Sequence, residues 1–506
     1  MKKNKLLKFI LSKPLVLKIL LSLILFFASL GFIFLSKPLY FPPLNSDLES
    51  FSSVRALSHI KSISNSPHYH TLYETSSNLS EGIKNVRKYI KNTLEELDVT
   101  TYTNHYPKGT RYISSSNFTD PNPSFFEDVL NYDILNYLVE FKGESDTSIL
   151  LSAHYDSAPP SYYPTIYHTN GTYSSNKEPS LGAADDGYGV GTILEIIRLL
   201  KIQSENHLLK NTVKLLLNDG EELGYVGVKL ELQKHPEYYK DVSFVINLES
   251  RGTRGNAIMF ETVKTNSRII KLYNKGKYKF ANSFSSYLVP IMFSGGTYTD
   301  FGVYTKNSFV GVGFSNVNSF DDYHSARDNY NNTSITTIAQ LGNEVYPMVL
   351  EFVNNSLYSD INYFKTGEET IFFTILPNIL IVLNIKVSYL LMSLLALLVF
   401  GLLILKIIKE HISIKKIFIT TISILLLVFT VFGICTLYEM LVGYLSNVKF
   451  SLINMYGISR IPYFFCVILL LLIFILLIYI LNLKKIKSLL HEVKISVIFL
   501  LLVLST

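Results

Sequence analysis

The apolar positions of this chain fall into three regimes. Residues 19–36 run on without a charge, 37–369 place apolar residues at short periods among polar ones, and 370–506 is dominated by Leu, Ile, Phe and Val again. Stretches 387–405, 417–437 and 462–482 each come close to the ~20 apolar residues that a bilayer requires and are read as transmembrane helices. Residues 19–36 continue through Gly31, Phe32, Ile33, Phe34 and Leu35 with no small-x-small cleavage site, so they read as an uncleaved anchor rather than a signal peptide. Residues 371–385 form a shorter run that contains Pro377 and two asparagines, and they are read as an interfacial segment. The final run, 493–506, is either a last span or the stump of a longer chain.

The middle region alternates between two periods. Ile83, Val86, Ile90, Leu94 and Leu97 have helical spacing, as do Ile193, Ile196, Ile197 and Leu200, and helices are expected over 80–98, 189–201, 227–232, 267–275 and 335–352. Extended segments are expected at 100–106, 134–141, 148–153, 213–217, 244–248, 258–260 and 309–314. Strands alternating with helices predict an α/β domain with a mostly parallel sheet flanked by helices, followed by an all-α multi-span transmembrane region. The expected divisions are 1–36 (cytoplasmic tail and anchor), 37–369 (the water-exposed domain), 370–386 (interfacial) and 387–506 (multi-span).

Charge fixes the expected orientation. The net charge of +6 is small for 506 residues, which argues against nucleic-acid binding. The lysines sit beside apolar runs: Lys2, Lys3, Lys5 and Lys8 at the start, then Lys406, Lys409, Lys415 and Lys416, then Lys484, Lys485 and Lys487. Placing each group in the cytoplasm puts 37–369 outside it. The AT-rich composition favours a bacterial plasma membrane, with a eukaryotic ER or vacuolar membrane as the alternative. Asn-x-Ser/Thr triplets such as Asn117-Phe118-Thr119 arise by chance in so Asn-rich a chain. Both cysteines, Cys435 and Cys466, lie in apolar runs, so any metal in the polar domain must be held by His, Asp and Glu.

Those residue types cluster where an open α/β sheet builds its sites, at the carboxyl ends of strands. The stretches are His154-Tyr155-Asp156, Gly182-Ala183-Ala184-Asp185-Asp186-Gly187, Gly220-Glu221-Glu222-Leu223-Gly224, Asn247-Leu248-Glu249 and Tyr323-His324. Taken singly, a His-x-Asp is more often a surface turn, an Asp-Asp-Gly a β-turn and a Glu-Glu a solvated face. His68 and His70 resemble a metal pair but follow Pro67 in a loop remote in sequence from these stretches, and structural roles are expected for them. His168 lies in the Pro- and Tyr-rich insertion 158–180, and nothing in the sequence assigns it a role.

Together, and in this order, the five stretches resemble the M28 family of zinc peptidases, which includes co-catalytic aminopeptidases, and its membrane-attached members in particular. The resemblance covers about residues 50–355 and extends to Leu150–Ser157, Ser250-Arg251-Gly252 and Thr299-Asp300-Phe301. It implies two Zn2+ ions per chain. One would be held by His154, Asp185 and Glu249 and the other by Glu222 and His324, with Asp185 bridging. Glu221 would be the general base, Asp156 would orient His154, and Asp186 would shape the turn after the bridging aspartate. Glu249 departs from the Asp often found there in soluble relatives. Adjacent glutamates on an extended segment point opposite ways, so one can ligate while the other faces the water.

The function implied is a membrane-anchored aminopeptidase acting on peptide substrates, with the lipid bilayer as its other partner and the oligomeric state open. A zinc-dependent glutaminyl cyclase or amidase on the same scaffold is the first alternative. A non-catalytic receptor should lack some ligands, and this chain has them all. A transporter needs ionisable residues in its spans, and these spans have almost none.

Overall fold

The computed structural model describes residues 47–71, 79–117, 127–160, 166–167, 173–174, 178–276, 280–283, 298–374 and 378–410. Two helices come first, α1 (Ser53–Ile63) and α2 (Glu81–Glu96). Each is opened by a serine, Ser52 and Ser80, whose hydroxyl accepts a backbone N–H three residues on. There follow β1 (Thr101–Tyr106), the pair β2 (Arg111–Ile113) and β3 (Glu127–Val129), β4 (Ile134–Phe141), β5 (Ser145–His154), and the short β6 (Ile166–Tyr167) and β7 (Tyr173–Ser174). Next are α3 (Gly187–Asn206), β8 (Asn211–Asn218), α4 (Val226–Lys234), α5 (Pro236–Tyr239), β9 (Val242–Leu248) and β10 (Ile258–Thr262). The rest is α6 (Ser267–Lys275), α7 (Asp300–Lys306), β11 (Gly311–Ser315), α8 (Ile335–Asn354), β12 (Thr370–Thr374), β13 (Leu380–Asn384) and α9 (Ile385–Glu410).

Seven strands form one sheet in the order β1-β4-β8-β5-β9-β11-β10. β5 pairs in parallel with β8 and β9, and β9 with β11, while β1–β4, β4–β8 and β10–β11 are antiparallel. The sheet is therefore mixed, with a parallel centre, rather than mostly parallel. Periodicity marks a strand but not its direction, which is set by the connections. α3 carries the chain back between β5 and β8, and such crossovers allow parallel neighbours.

Both faces are covered, so the central strands are buried throughout: every position of β8 and β9 is buried, polar ones included. Ile149, Leu151, Leu215, Leu217 and Ile246 pack with residues of α1, α2, α3 and α8. Leu150, Leu216 and Val245 point the other way, toward Val228 and Leu232 of α4 and Val303 and Tyr304 of α7. Each such fully buried aliphatic side chain contributes roughly 1.5–3 kcal/mol.

The stretch read as interfacial is a β-hairpin. β12 and β13 pair from Thr370↔Asn384 to Thr374↔Leu380. Phe372 joins the main core, and the Asn266 side chain exchanges hydrogen bonds with the Thr370 backbone. β13 runs directly into α9, which covers the expected span 387–405. Among the described residues no helix is long and apolar enough to cross a membrane. The anchor 19–36, the stretches 417–437, 462–482 and 493–506, Lys484–Lys487, both cysteines and His168 lie outside the described residues.

Candidate active site

The carboxyl ends of the parallel strands deliver the candidate residues to one place. β5 ends on His154, β8 stops at Asn218 just before the Asp219-Gly220-Glu221-Glu222 turn, and β9 stops just before Glu249. Gly220 turns the chain at φ +73°, a conformation that suits a residue with no Cβ. α3 begins immediately after Asp185-Asp186. Asp186 caps it, with Oδ1 accepting from Gly189 N at 3.0 Å, the turn-shaping role expected for it. His324 follows a short 3-10 turn and stacks on Tyr323 with ring centroids 3.7 Å apart.

Asp185, expected as the bridge, lies between two histidines. Its Oδ1 lies 3.2 Å from His154 Nε2, and its Oδ2 lies 3.1 Å from His324 Nε2. Glu222 Oε1 is 3.1 Å from His324 Nε2, and Glu249 Oε1 is 3.9 Å from His154 Nε2. Ligand atoms converge in two groups: His154, Glu221 and Glu249 in one, and Asp185, Glu222 and His324 in the other. Glu221, expected as the base, thus sits within ligating reach of the first group.

Asp156 departs from expectation in its contacts. The closer acceptor for His154 Nδ1 is the Asp156 backbone carbonyl, at 3.0 Å, with the carboxylate at 3.4 Å. The carboxylate instead accepts the backbone N–H groups of Glu221 (3.0 Å) and Glu222 (3.2 Å). Either way His154 donates through Nδ1, which aims Nε2 at Asp185 and Glu249.

The electrostatics are those of a cation site. Asp185, Glu221 and Glu249 are buried, and Glu222 is partly so. Burial holds the Glu221 and Glu249 carboxyls above their ordinary range and pushes Glu222 up to about 7. Burial also opposes ionisation of Asp185, but the neighbouring His154 and His324 rings outweigh it and hold that carboxyl below its ordinary value. Asp185 Oδ2 and Glu222 Oε1 are buried with no hydrogen-bond partner among the described residues. Buried carboxylate oxygens without donors are costly unless a cation or proton meets them, so the residues present fit divalent metal.

Two supporting residues had no role assigned from the sequence. Asp328 accepts from Ala184 N (2.7 Å), Asp185 N (3.2 Å) and Ser180 Oγ (3.1 Å), tying the loop after His324 to the loop that carries the bridging aspartate. Asp300 Oδ2 accepts from Asn218 Nδ2 at 2.6 Å. His68 and His70 have the buried structural contacts expected of them, but they are not remote from the motifs. Hydrogen bonds join them to Ser157 and Asp219, because the loop 64–71 folds back under the strand ends.

Residues 136–349 match the model of Peptidase family M28. A vacuolar membrane protease of Candida dubliniensis is 31% identical over 238 residues, which cover 45% of this chain and 22% of that protein. One of Candida tropicalis is 30% identical over 235 residues, with the same 45% and 22%. The chain thus spans about a fifth of the length of these relatives. Among solved structures, the Porphyromonas gingivalis glutaminyl cyclase is 17% identical with a TM-score of 0.44 and covers 60% of this chain and 99% of its own. A zinc aminopeptidase from Bacillus subtilis is 12% identical with a TM-score of 0.41 and covers 60% and 96%. All seven candidate residues lie inside the segment that matches the model of Peptidase family M28.

Proposed function

We propose that this chain is a membrane-anchored, two-zinc aminopeptidase that hydrolyses amino-terminal peptide bonds outside the cytoplasm. The observation that carries the reading is the placement of Asp185, one carboxylate oxygen on each of two histidines. His154, Asp185 and Glu249 would hold one ion, and Asp185, Glu222 and His324 the other. Bound zinc would supply a Lewis acid for the scissile carbonyl and lower the pKa of the attacking water.

The remaining roles belong to the protein. Glu221 takes the proton from the attacking water and returns it to the leaving amine. Asp156 fixes the backbone of both glutamates, so that the Glu221 carboxylate faces the substrate while Glu222 faces His324. Asp328 holds the Asp185 backbone in place.

For location, the relatives' name, vacuolar membrane protease, favours the vacuolar membrane over the bacterial plasma membrane. AT-rich composition reports on a genome and not on a cell type. With the lysine-flanked runs in the cytoplasm, the domain faces the lumen. The hairpin β12–β13 then lies at the membrane interface.

The test uses the full chain in detergent with a panel of aminoacyl reporter substrates. The expected result is hydrolysis that a chelator abolishes and zinc restores. Hydrolysis indifferent to the chelator would overturn the zinc assignment. Conversion of amino-terminal glutamine without hydrolysis of any reporter would favour the cyclase.

A further inference from the structure

The His68-Tyr69-His70 stretch has no part in the chemistry above, yet both histidines are buried, 1% and 4% exposed. Each touches a loop that carries a candidate residue. His70 Nε2 donates to Asp219 Oδ1 at 2.8 Å. The other oxygen of Asp219 accepts from Arg87 Nη2 (2.7 Å), Tyr155 Oη (2.9 Å) and Leu135 N (3.2 Å). Asp219 stands two residues before Glu221, and Tyr155 lies between His154 and Asp156. A carboxylate buried this deeply is tolerable only because charged and neutral donors surround it, and each donor helps to fix where it sits.

His68 acts on the other two loops. Its N–H donates to Ser157 Oγ at 3.0 Å, and Ser157 N donates to the His68 carbonyl at 3.2 Å. Ser157 follows Asp156 directly. The His68 ring lies so close to Gly182 that a Cβ there would stand 2.9 Å from its Cε1 and Nε2. Gly182 has φ +62° and opens the turn that leads to Asp185. The stretch is itself held from behind, since a Cβ on Gly82 of α2 would come within 1.9 Å of the Pro67 carbonyl oxygen.

We propose that His68–His70 is a positioning brace. It sets the relative placement of the loops bearing His154 and Asp156, Asp185, and the Glu221-Glu222 pair, with His70 acting through Asp219. The proposal rests on the functional reading of those residues given above. A brace differs from an ordinary core contact in what its loss changes. Displacement of a reacting group by about 1 Å can cost on the order of 10²-fold in rate, whereas a core histidine affects stability alone.

The experiment compares wild type with His70→Leu, which removes the donor, and His70→Gln, whose amide nitrogen can replace Nε2. All are full chains in detergent, assayed well below their unfolding temperatures. His70→Leu is expected to lower kcat about 10–100-fold with KM nearly unchanged, the range typical for groups that orient metal ligands. It should also alter the visible absorption spectrum of cobalt(II) added to the metal-free chain, and His70→Gln should restore both. Should the leucine variant fail to fold, His70→Asn, whose shorter amide falls short of Asp219, takes its place. Wild-type kcat and an unchanged cobalt spectrum would overturn the brace, whatever happens to the unfolding temperature. If wild type hydrolyses nothing, a cobalt spectrum that changes with His70→Leu and returns with His70→Gln keeps the brace and rejects the peptidase.

Discussion

Glu221 and Glu222 are neighbours whose backbone N–H groups share one acceptor, the Asp156 carboxylate, yet their side chains serve different ends. Glu222 reaches His324 and Glu221 faces the opposite group. Glu221→Gln is therefore expected to lower kcat by about 10²–10⁴-fold with metal retained, and Glu222→Gln to lower metal affinity; metal analysis beside kinetics separates the two. Reversed behaviour would exchange their roles. Asp156→Asn puts an N–H donor against one of two backbone donors, so one of these hydrogen bonds is lost. The expected loss is about 10–100-fold in kcat, with less effect on metal content than His154→Ala, and unchanged kinetics would leave Asp156 a turn residue. The seven candidate residues of the site were prominent in the sequence, because strand-end acids and histidines in a fixed order are a rare pattern. Asp328 and Asp219 were not. Arg327-Asp328 reads like any solvated pair, and the partners of Asp219 come from His70, Arg87 and Tyr155, which no local pattern connects to it.

The elements that position the site were legible to different degrees. β4 and α6 have the expected bounds, and the central strands needed extension by only a few residues. α1 was missed although Ala56, Ile60 and Ile63 are spaced four and three apart, because Ser53, Ser58 and Ser62 dilute the signal. Residues 371–385 were read as an interfacial segment, and their pairing as strands, with Phe372 entering the core, was not foreseen. The packing of α1 on α2 gives a pH signature. His59 Nδ1 bonds to Tyr89 Oη at 2.8 Å, and burial lowers the His59 pKa from 6.5 to about 4. Between those values the unfolded chain binds a proton that the folded chain refuses. This contribution is therefore fully present above 6.5 and is lost as pH falls toward 4. Thermal unfolding across that range should show His59→Gln flattening the slope, and an unaltered slope would mean that His59 is protonated in the fold.

For the whole molecule, the hairpin leads without a linker into α9, and the orientation proposed above puts the α/β domain in the lumen. With Cys435 and Cys466 replaced by serine, an impermeant thiol reagent applied to the luminal side should label Asp128→Cys, which is exposed on β3. It should miss His411→Cys, just beyond α9. Labelling of His411→Cys would mean that the hairpin segment crosses the membrane, and no labelling at 128 would put the active site in the cytoplasm. Asp185, with one carboxylate oxygen on each of two histidines, is proposed to join two metal sites. The zinc content of the purified full chain at saturation decides the matter. About two zinc ions per chain are expected. A single equivalent, with Glu222 and His324 or His154 and Glu249 left without metal, would contradict it.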